Sequence, residues 1–168
     1  MKKNILAFAI LAVIAAPALA ADTSLYAGVK LGSANKSVPG ASETNSAFGF
    51  FGGYTINPNF AVEVGYTDLG TVSSGIIKFT ALDVSAVGTY PINHQFSVYG
   101  KLGLASTKEE ALSISASRSD VTYGLGGQFN VNQSVGIRLG YDHYGFGDDV
   151  IYAKGDISLY SVAGVFKF

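Results

Sequence analysis

Residues 53–69, GYTINPNFAVEVGYTDL, contain the end of one strand, a tight turn and the start of the next strand. After the Asn57-Pro58-Asn59 turn, Val62, Val64 and Tyr66 alternate with Glu63 and other small or polar residues. Strict alternation over several residues is typical of a strand with one apolar face. The segment therefore predicts a β-hairpin whose two faces differ in polarity.

The same alternation recurs along most of the chain and predicts eight strands. Most of these strands run 10 to 14 residues, close to the roughly 9–11 that a tilted membrane strand needs and longer than the usual 5–6 of soluble sheets. We predict an all-β fold, an eight-stranded antiparallel up-and-down transmembrane β-barrel. The predicted strands are 24–33, 46–56, 60–69, 78–91, 96–106, 119–131, 135–146 and 156–168.

The predicted connections alternate between short and long. The short ones fall at 57–59, 91–95 and 132–134, and the long ones at 34–45, 70–77, 107–118 and 147–155. Both ends of the barrel sequence fall on the side of the short turns. Short periplasmic turns and longer external loops are typical of outer-membrane barrels, so we expect the long connections to face outside.

Alternation does not say which face points inward, because a soluble lipocalin-type barrel alternates with its apolar face inside. Charged residues make up only 14% of the chain, against roughly 25% in ordinary soluble domains. The polar face consists mostly of Gly, Ala, Ser and Thr, with about one charge per strand. This composition favours a narrow lumen over a solvent-facing surface, so we predict that the apolar face meets lipid.

The N-terminus has the organisation of a Sec-type signal peptide. Lys2 and Lys3 precede an apolar run over 5–16, and residues 18–20 read Ala-Leu-Ala. A run of this length is too short to span a bilayer as a helix and fits a cleaved export signal. We predict a signal peptide over 1–20, cleavage between Ala20 and Ala21, and a barrel domain over 21–168. The absence of Cys excludes disulfides and a lipidated cysteine.

Six charged residues fall on the predicted inner face, three positive and three negative. An eight-stranded barrel is just wide enough for side chains to fill it, and buried charges are costly unless they are paired. We therefore favour a paired, structural charge network that plugs the lumen. A gated polar path or ligand site is the alternative. The six residues are Lys30, Glu63, Asp83, Lys101, Arg138 and Asp142.

No motif predicts catalysis, a metal site, a cofactor or nucleic-acid binding. The run Gly124-Leu125-Gly126-Gly127 matches no nucleotide fingerprint and is better explained by close packing. The two histidines, His94 and His143, fall at opposite ends of the predicted barrel. An outer-membrane hydrolase using His143 would need a nucleophile nearby, and the adjacent sequence has no Ser.

Two further sets of residues indicate a membrane setting. Aromatic residues near the strand ends are typical of an interfacial girdle: Tyr54, Phe60, Tyr90, Phe96, Phe129, Tyr141, Tyr160 and Phe168. Five cations in or beside the long connections are either solvated loop charges or ligands of lipopolysaccharide phosphates, and the sequence leaves both open: Lys36, Lys78, Lys108, Arg118 and Lys154.

Four segments taken together resemble the OmpA-like outer-membrane β-barrel family: 53–66, 99–103, 136–141 and the ending SLYSVAGVFKF over 158–168. The resemblance implies a monomer integral to the outer membrane, with Phe168 as the terminal aromatic read by the barrel-assembly machinery, after delivery by periplasmic chaperones. It also matches Glu63, Lys101 and Arg138 to inward charged positions of the family. Unlike full-length members, the sequence ends at the barrel without a peptidoglycan-binding domain.

Three functions remain open at this stage. The first is a structural or surface-interaction barrel with a plugged lumen, which lies among outer-membrane lipid and lipopolysaccharide and is not an enzyme. The second is a low-conductance porin for small solutes or ions. The third, which we favour least, is a lipid-A-modifying enzyme.

Overall fold

A computed structural model describes residues 24–38, 41–72, 77–111, 114–146 and 155–168. Eight antiparallel strands pair in sequence order, and β1 pairs with β8 to close the barrel, which confirms the predicted fold class. None of the described residues forms a helix long and apolar enough to cross a membrane. The strands are β1 Leu25–Val38, β2 Ala41–Asn57, β3 Phe60–Val72, β4 Ile77–Pro91, β5 Phe96–Ala111, β6 Ile114–Asn130, β7 Val135–Phe146 and β8 Gly155–Lys167. The predicted signal peptide and its cleavage site at Ala20 and Ala21 lie outside the described residues.

Two of the four predicted long loops are wrong. The β1–β2 ladder continues to the pair Val38 and Ala41, and the β5–β6 ladder continues to Ala111 and Ile114. The segments 34–45 and 107–118 are therefore mostly paired strand. The outer face of these strands changes from apolar residues to Ser, Thr and Asn. The alternation that predicts a strand therefore ends early, while the backbone remains paired. We call this end of the barrel the outer end.

The three short turns at the other end, the turn end, repeat one hydrogen-bonding arrangement. The side-chain Oδ1 of Asn57 accepts the backbone N–H groups of Asn59 and Phe60 at 2.9 and 3.0 Å. In the same way, the Oδ1 atoms of Asn93 and Asn132 accept hydrogen bonds from the backbone N–H groups two and three residues later. Such Asx turns replace a backbone turn with a side-chain acceptor, which keeps these connections short.

A continuous apolar band surrounds the barrel. Val64 is 48% exposed, Val84 52% and Leu104 63%, and they lie side by side on neighbouring strands. The band spans seven to nine residues on each strand, which at about 3.3 Å per residue and a tilt of about 40° corresponds to roughly 20 Å in height. The face assignment made from the sequence agrees with the structure, including β8, where Tyr160 and Val162 point outward.

The interior contains large apolar side chains as well as the predicted polar ones. One cluster, which we call the outer layer, lies toward the outer end and comprises Ala34, Ala47, Leu69, Phe79, Ala81, Ala105, Tyr144, Ile157 and Leu159. A second cluster, the turn-side layer, comprises Tyr26, Phe51, Ala61, Val87, Tyr99, Ala163 and Val165. The sequence predicts an inner face of mostly small and polar residues, so these two apolar layers were not predicted.

Candidate functional site in the barrel lumen

All six predicted lumen charges lie inside the barrel and are at most 9% exposed. We call the set Lys30, Glu63, Asp83, Lys101, Arg138 and Asp142 the charge belt. Alternation places each of them on the inner face of its strand, so that five strands contribute to one cluster. Buried charges at this density are stable only if each has an opposite charge within reach.

Lys101 is the centre of the charge belt. Its ammonium Nζ lies 3.1 Å from Asp142, 3.6 Å from Asp83 and 3.9 Å from Glu63. In the β4–β5 ladder Lys101 pairs with Val87 and Asp83 pairs with Ala105, so the long lysine side chain reaches along the lumen to Asp83. Ser85 donates a further hydrogen bond to Asp83 at 3.3 Å. One cation therefore neutralises parts of three acidic side chains from three different strands.

Arg138 is the second cation that neutralises the Glu63 carboxylate. Its Nη1 donates to Glu63 Oε2 at 2.7 Å, while Nε and Nη2 both donate to Gln128 Oε1. The guanidinium also lies 4.6 Å from the ring centre of Tyr99 and 5.1 Å from that of Phe51. Aromatic faces attract a cation, so Arg138 is fixed by ionic, amide and ring contacts together.

Lys30 completes the belt toward the outer end. Its Nζ donates to Asp142 Oδ2 and to the Tyr144 hydroxyl, both at 3.4 Å. On the turn side, the Tyr26 hydroxyl donates to Glu63 at 3.1 Å. Sequence reasoning missed these two tyrosines. Alternation could have identified both. Tyr26 is separated from Lys30 by an even number of residues on β1, and Tyr144 is separated from Arg138 and Asp142 by even numbers on β7, so each points to the inner face.

The charge belt lies between the two apolar layers. On β1, Lys30 falls between Tyr26 and Ala34, and the same order of turn-side layer, charge and outer layer holds on three further strands. These are β3 with Ala61, Glu63 and Leu69, β4 with Val87, Asp83 and Ala81, and β5 with Tyr99, Lys101 and Ala105. A cavity lined chiefly by the belt has a volume of about 10 Å³, the space of a single water molecule.

Two more lysines point into the barrel, one at each end. Lys36 was predicted as a loop charge, and this is wrong: it is 4% exposed, lies 4.3 Å from the Phe79 ring centre and donates to Gly70 O at 3.4 Å. Its strand continues past the predicted end, so alternation turns it inward. Lys167 lies at the turn end and donates to Asn130 Oδ1 at 2.9 Å. Lys78 and Lys108 face outward, whereas Lys154 and the side chain of Arg118 lie outside the described residues.

His143 lies on the outward face near the outer end, and His94 lies in a turn at the opposite end. The His143 ring stacks on Tyr123 at 4.7 Å, and its Nε2 is 3.5 Å from Asp156 Oδ1. Its ladder partner is Ser158, whose hydroxyl hydrogen-bonds with the Tyr141 hydroxyl at 3.1 Å. No group of three or more potential metal ligands occurs among the residues that the structure describes.

Comparison with known families adds an independent finding. A family model described as "Outer membrane protein beta-barrel domain" matches residues 6–166. Two curated relatives are both called Outer membrane protein A. The protein of Salmonella typhi is 31% identical over an alignment covering 100% of this chain and 56% of its own length. That of Klebsiella pneumoniae is 30% identical over 71% of this chain and 43% of its own length. The chain thus spans about half the length of these relatives.

Solved structures with the same architecture are also outer-membrane barrels. Neisserial surface protein A superposes with a TM-score of 0.71 at 18% identity, covering 87% of this chain and 98% of that protein. Ail, the attachment invasion locus protein of Yersinia pestis, superposes with a TM-score of 0.61 at 23% identity, covering 88% and 100%. At these identities the likeness supports the fold alone, whereas the integral outer-membrane location follows from the family match over residues 6–166 and from the curated relatives.

Proposed function

This chain belongs to the family of outer membrane protein β-barrel domains, and from that premise we propose that it is a structural and surface-interaction barrel whose lumen is sealed. The observation that carries the proposal is the stacking of three layers across the lumen. A belt of paired charges lies between two layers of packed apolar side chains. As an integral outer-membrane protein it meets lipid along the apolar band.

The three layers oppose ion passage for different physical reasons. An ion crossing the outer layer or the turn-side layer would lose its hydration shell against apolar side chains, which offer no replacement ligands. An ion entering the charge belt would have to displace Lys101 or Arg138 from carboxylates that they hold at 3.1 and 2.7 Å. In the low dielectric of a packed interior such pairs interact strongly. The lumen is therefore sealed by packing and by ion pairing together.

Recording of the full-length protein, exported and inserted, in planar bilayers tests the seal. We expect no steady openings on the nanosiemens scale, because the two apolar layers and the paired charges between them leave little room for water among the described residues. A 16-stranded porin, whose lumen is an aqueous channel, serves as the positive control in the same bilayer. Steady openings of the wild-type protein would contradict the sealed lumen and would support the second function, transport of small solutes or ions.

The surface-interaction part of the proposal rests on what lies above the apolar band. Ser33, Ser46, Ser106, Ser119 and Ser158 face outward just beyond the band on five of the strands. Lys78 and Lys108 extend from neighbouring strands at a similar level, and Lys78 pairs with Asp68 at 3.1 Å. Hydroxyl and ammonium groups at headgroup height suit the sugars and phosphates of lipopolysaccharide. We therefore propose lipopolysaccharide as a partner of this face.

Added lipopolysaccharide should raise the unfolding midpoint of the protein in detergent, since a ligand stabilises the state that it binds. Replacing Lys78 and Lys108 together by Met should reduce that rise. Lys167→Met is the matched control, because it removes a cation at the turn end, far from the outer leaflet. An equal rise in all three proteins, or an equal rise with dephosphorylated lipopolysaccharide, would contradict phosphate recognition by these lysines.

We also infer that the barrel is not an enzyme, although His143 lies near lipid headgroups. A hydrolase needs a nucleophile that hydrogen-bonds to its base, whereas the Ser158 hydroxyl is engaged by Tyr141. Mass spectra of lipid A from cells producing the wild-type protein or His143→Ala should be identical. The loss or gain of an acyl chain in the wild-type sample alone would establish lipid modification instead.

A further inference from the structure

The turn end of the lumen contains a chamber that adjoins the charge belt at Arg138. Two adjoining cavities of about 460 and 440 Å³ share Pro58, Thr89, Gln128 and Lys167 among their lining residues. We call them together the turn-end chamber. Its volume falls in the range of sites for small ligands, roughly 300–1,000 Å³. Its mouth lies among the short turns, which in this family face the periplasm.

The charges that line the chamber have one sign. Lys167 and Arg138 are its cationic side chains, His94 lies beside the second cavity, and the other polar groups are hydroxyls and amides. No carboxylate side chain, nor Phe168, is among the described residues that line it. Glu63 neutralises Arg138 from the belt side, whereas Lys167 donates a hydrogen bond to the neutral side-chain oxygen of Asn130. The charge belt is balanced without Lys167, so the chamber carries the excess positive charge.

A relay of hydrogen bonds orients these groups. Arg138 donates twice to Gln128 Oε1, Gln128 Nε2 donates to Asn130 Oδ1 at 2.8 Å, and Lys167 Nζ donates to the same oxygen at 2.9 Å. The two amide oxygens are thereby occupied by neighbouring donors. Because an ammonium carries three protons and the bond to Asn130 takes one, Lys167 retains donor capacity toward the chamber. The relay fixes donors along one wall.

The chamber is a dead end. Tyr26, Val165 and Arg138 line its inner limit, and Tyr26 and Val165 belong to the turn-side layer. A solute entering from the turn end therefore meets a wall that is partly apolar and partly cationic.

We propose that the turn-end chamber is a binding site for small periplasmic oxyanions, solutes that carry a carboxylate or phosphate group. Lys167 forms the main ion pair, and the amides of Gln128 and Asn130 with the hydroxyl of Thr89 bind the remaining oxygens. Charge-assisted hydrogen bonds to carboxylate or phosphate are the strongest that such donors make. The site uses the family's periplasm-facing turn end, and it does not depend on the lumen being sealed to ions.

Titration of the isotope-labelled full chain in detergent micelles with citrate, and separately with inorganic phosphate, tests the site by amide chemical shifts. Ionic strength is held constant with sodium chloride because salt screens exposed charges. We expect saturable shifts at Gln128, Asn130 and Lys167 with at least one of the two anions, with dissociation constants in the millimolar range. Comparing the two anions distinguishes a carboxylate site from a phosphate site.

Lys167→Met should weaken binding about tenfold, the effect of losing one charge-assisted hydrogen bond, and Lys167→Arg should retain it. Lys78→Met removes a cation at the outer end and is the matched control: the affinity read from the Gln128, Asn130 and Lys167 amides at the turn end should equal that of the wild type, independently of any phosphate bound at the outer face. Shifts that grow linearly with both anions, or equal affinity in Lys167→Met, would overturn the proposal. Wild-type conductance is a separate readout, so failure of the seal and failure of this site are distinguishable.

Discussion

Lys101 is the residue on which the charge belt depends most. It lies within 4 Å of carboxylates from β3, β4 and β7, whereas each of the other cations reaches one carboxylate. Asp83 has Lys101 as its ion-pair partner and Ser85 as its hydrogen-bond donor. Asp142 shares Lys101 with Lys30. Removing the Lys101 side chain would therefore take away the cation paired with Asp83 and leave Asp142 and Glu63 with one cation each, Lys30 and Arg138.

Lys101→Met should lower the free energy of unfolding by about 3–5 kcal/mol, the usual cost of breaking a buried ion pair from one side. The substitution keeps most of the side-chain volume, so the effect reports charge and not a cavity. Lys78→Met is the control, since its pair with Asp68 is largely exposed and should cost less than about 1 kcal/mol. Urea unfolding in liposomes measures both. Equal losses in the two variants would show that the belt is not held by its charges.

At the scale of the strand, the sequence predicts faces better than ends. Alternation correctly placed Val62, Glu63 and their neighbours because one face meets lipid and the other meets the lumen, and this contrast persists through the apolar band. Above the band the outer face becomes polar, so the contrast between an apolar outer face and a polar inner face is lost, and β1 and β5 continue to Val38 and Ala111 without a sequence signal. The sequence also did not predict that β3 shifts register against β4 near Gly70. The φ of Gly70 is 81°, a backbone conformation that favours glycine.

The upper boundary of the apolar band on β4 can be tested with one substitution at two depths. Val84 and Thr80 point to the same outer face, Val84 in mid-band and Thr80 just above it. Val84→Arg should cost about 2–4 kcal/mol and Thr80→Arg about 0–1 kcal/mol, because the cost of a cation on the lipid face falls toward the interface. Denaturant unfolding in liposomes gives both values. Equal costs would mean that the band does not coincide with the bilayer.

The orientation of the barrel is open to labelling because the chain has no Cys. Ser115 lies at the outer end, beside the β5–β6 connection, and Gln133 lies in the last short turn. A membrane-impermeant maleimide added to intact cells should label Ser115→Cys and leave Gln133→Cys unmodified. Lysed cells provide the control, in which both sites should react. Labelling of Gln133→Cys alone on intact cells would invert the proposed topology.

For the whole molecule, closure of the barrel creates contacts that no hairpin register predicts. Glu63 and Arg138 are 75 residues apart, and Lys30 reaches Asp142 although β8 separates their strands. The sequence identified the six charges because each obeys the alternation of its own strand. Which cation reaches which carboxylate depends on the stagger of strands around the closed barrel, and the sequence contains no local signal for it. The apolar layers were not predicted for a related reason, since the members of one layer come from strands far apart in the sequence, such as Leu69 on β3 and Ile157 on β8 in the outer layer.

The stacking of layers predicts that the barriers act in series. An ion must cross the turn-side layer, the charge belt and the outer layer one after another, so the highest remaining barrier limits the current. Lys101→Met should therefore destabilise the protein and still conduct little, because both apolar layers remain. Leu69→Ser with Leu159→Ser, which makes the outer layer polar, should also conduct little, because the belt and the turn-side layer remain.

Combining these three substitutions with Phe51→Ala removes a large part of every layer, and we expect bilayer conductance to rise well above the sum of the increases in the separate variants. Unfolding midpoints identify any variant that has lost its fold, and only folded variants are compared. If Lys101→Met alone conducts as well as the combined variant, the charge belt is the sole barrier and the apolar layers are permeable. If the combined variant is folded and remains closed, side chains outside these layers must seal the lumen.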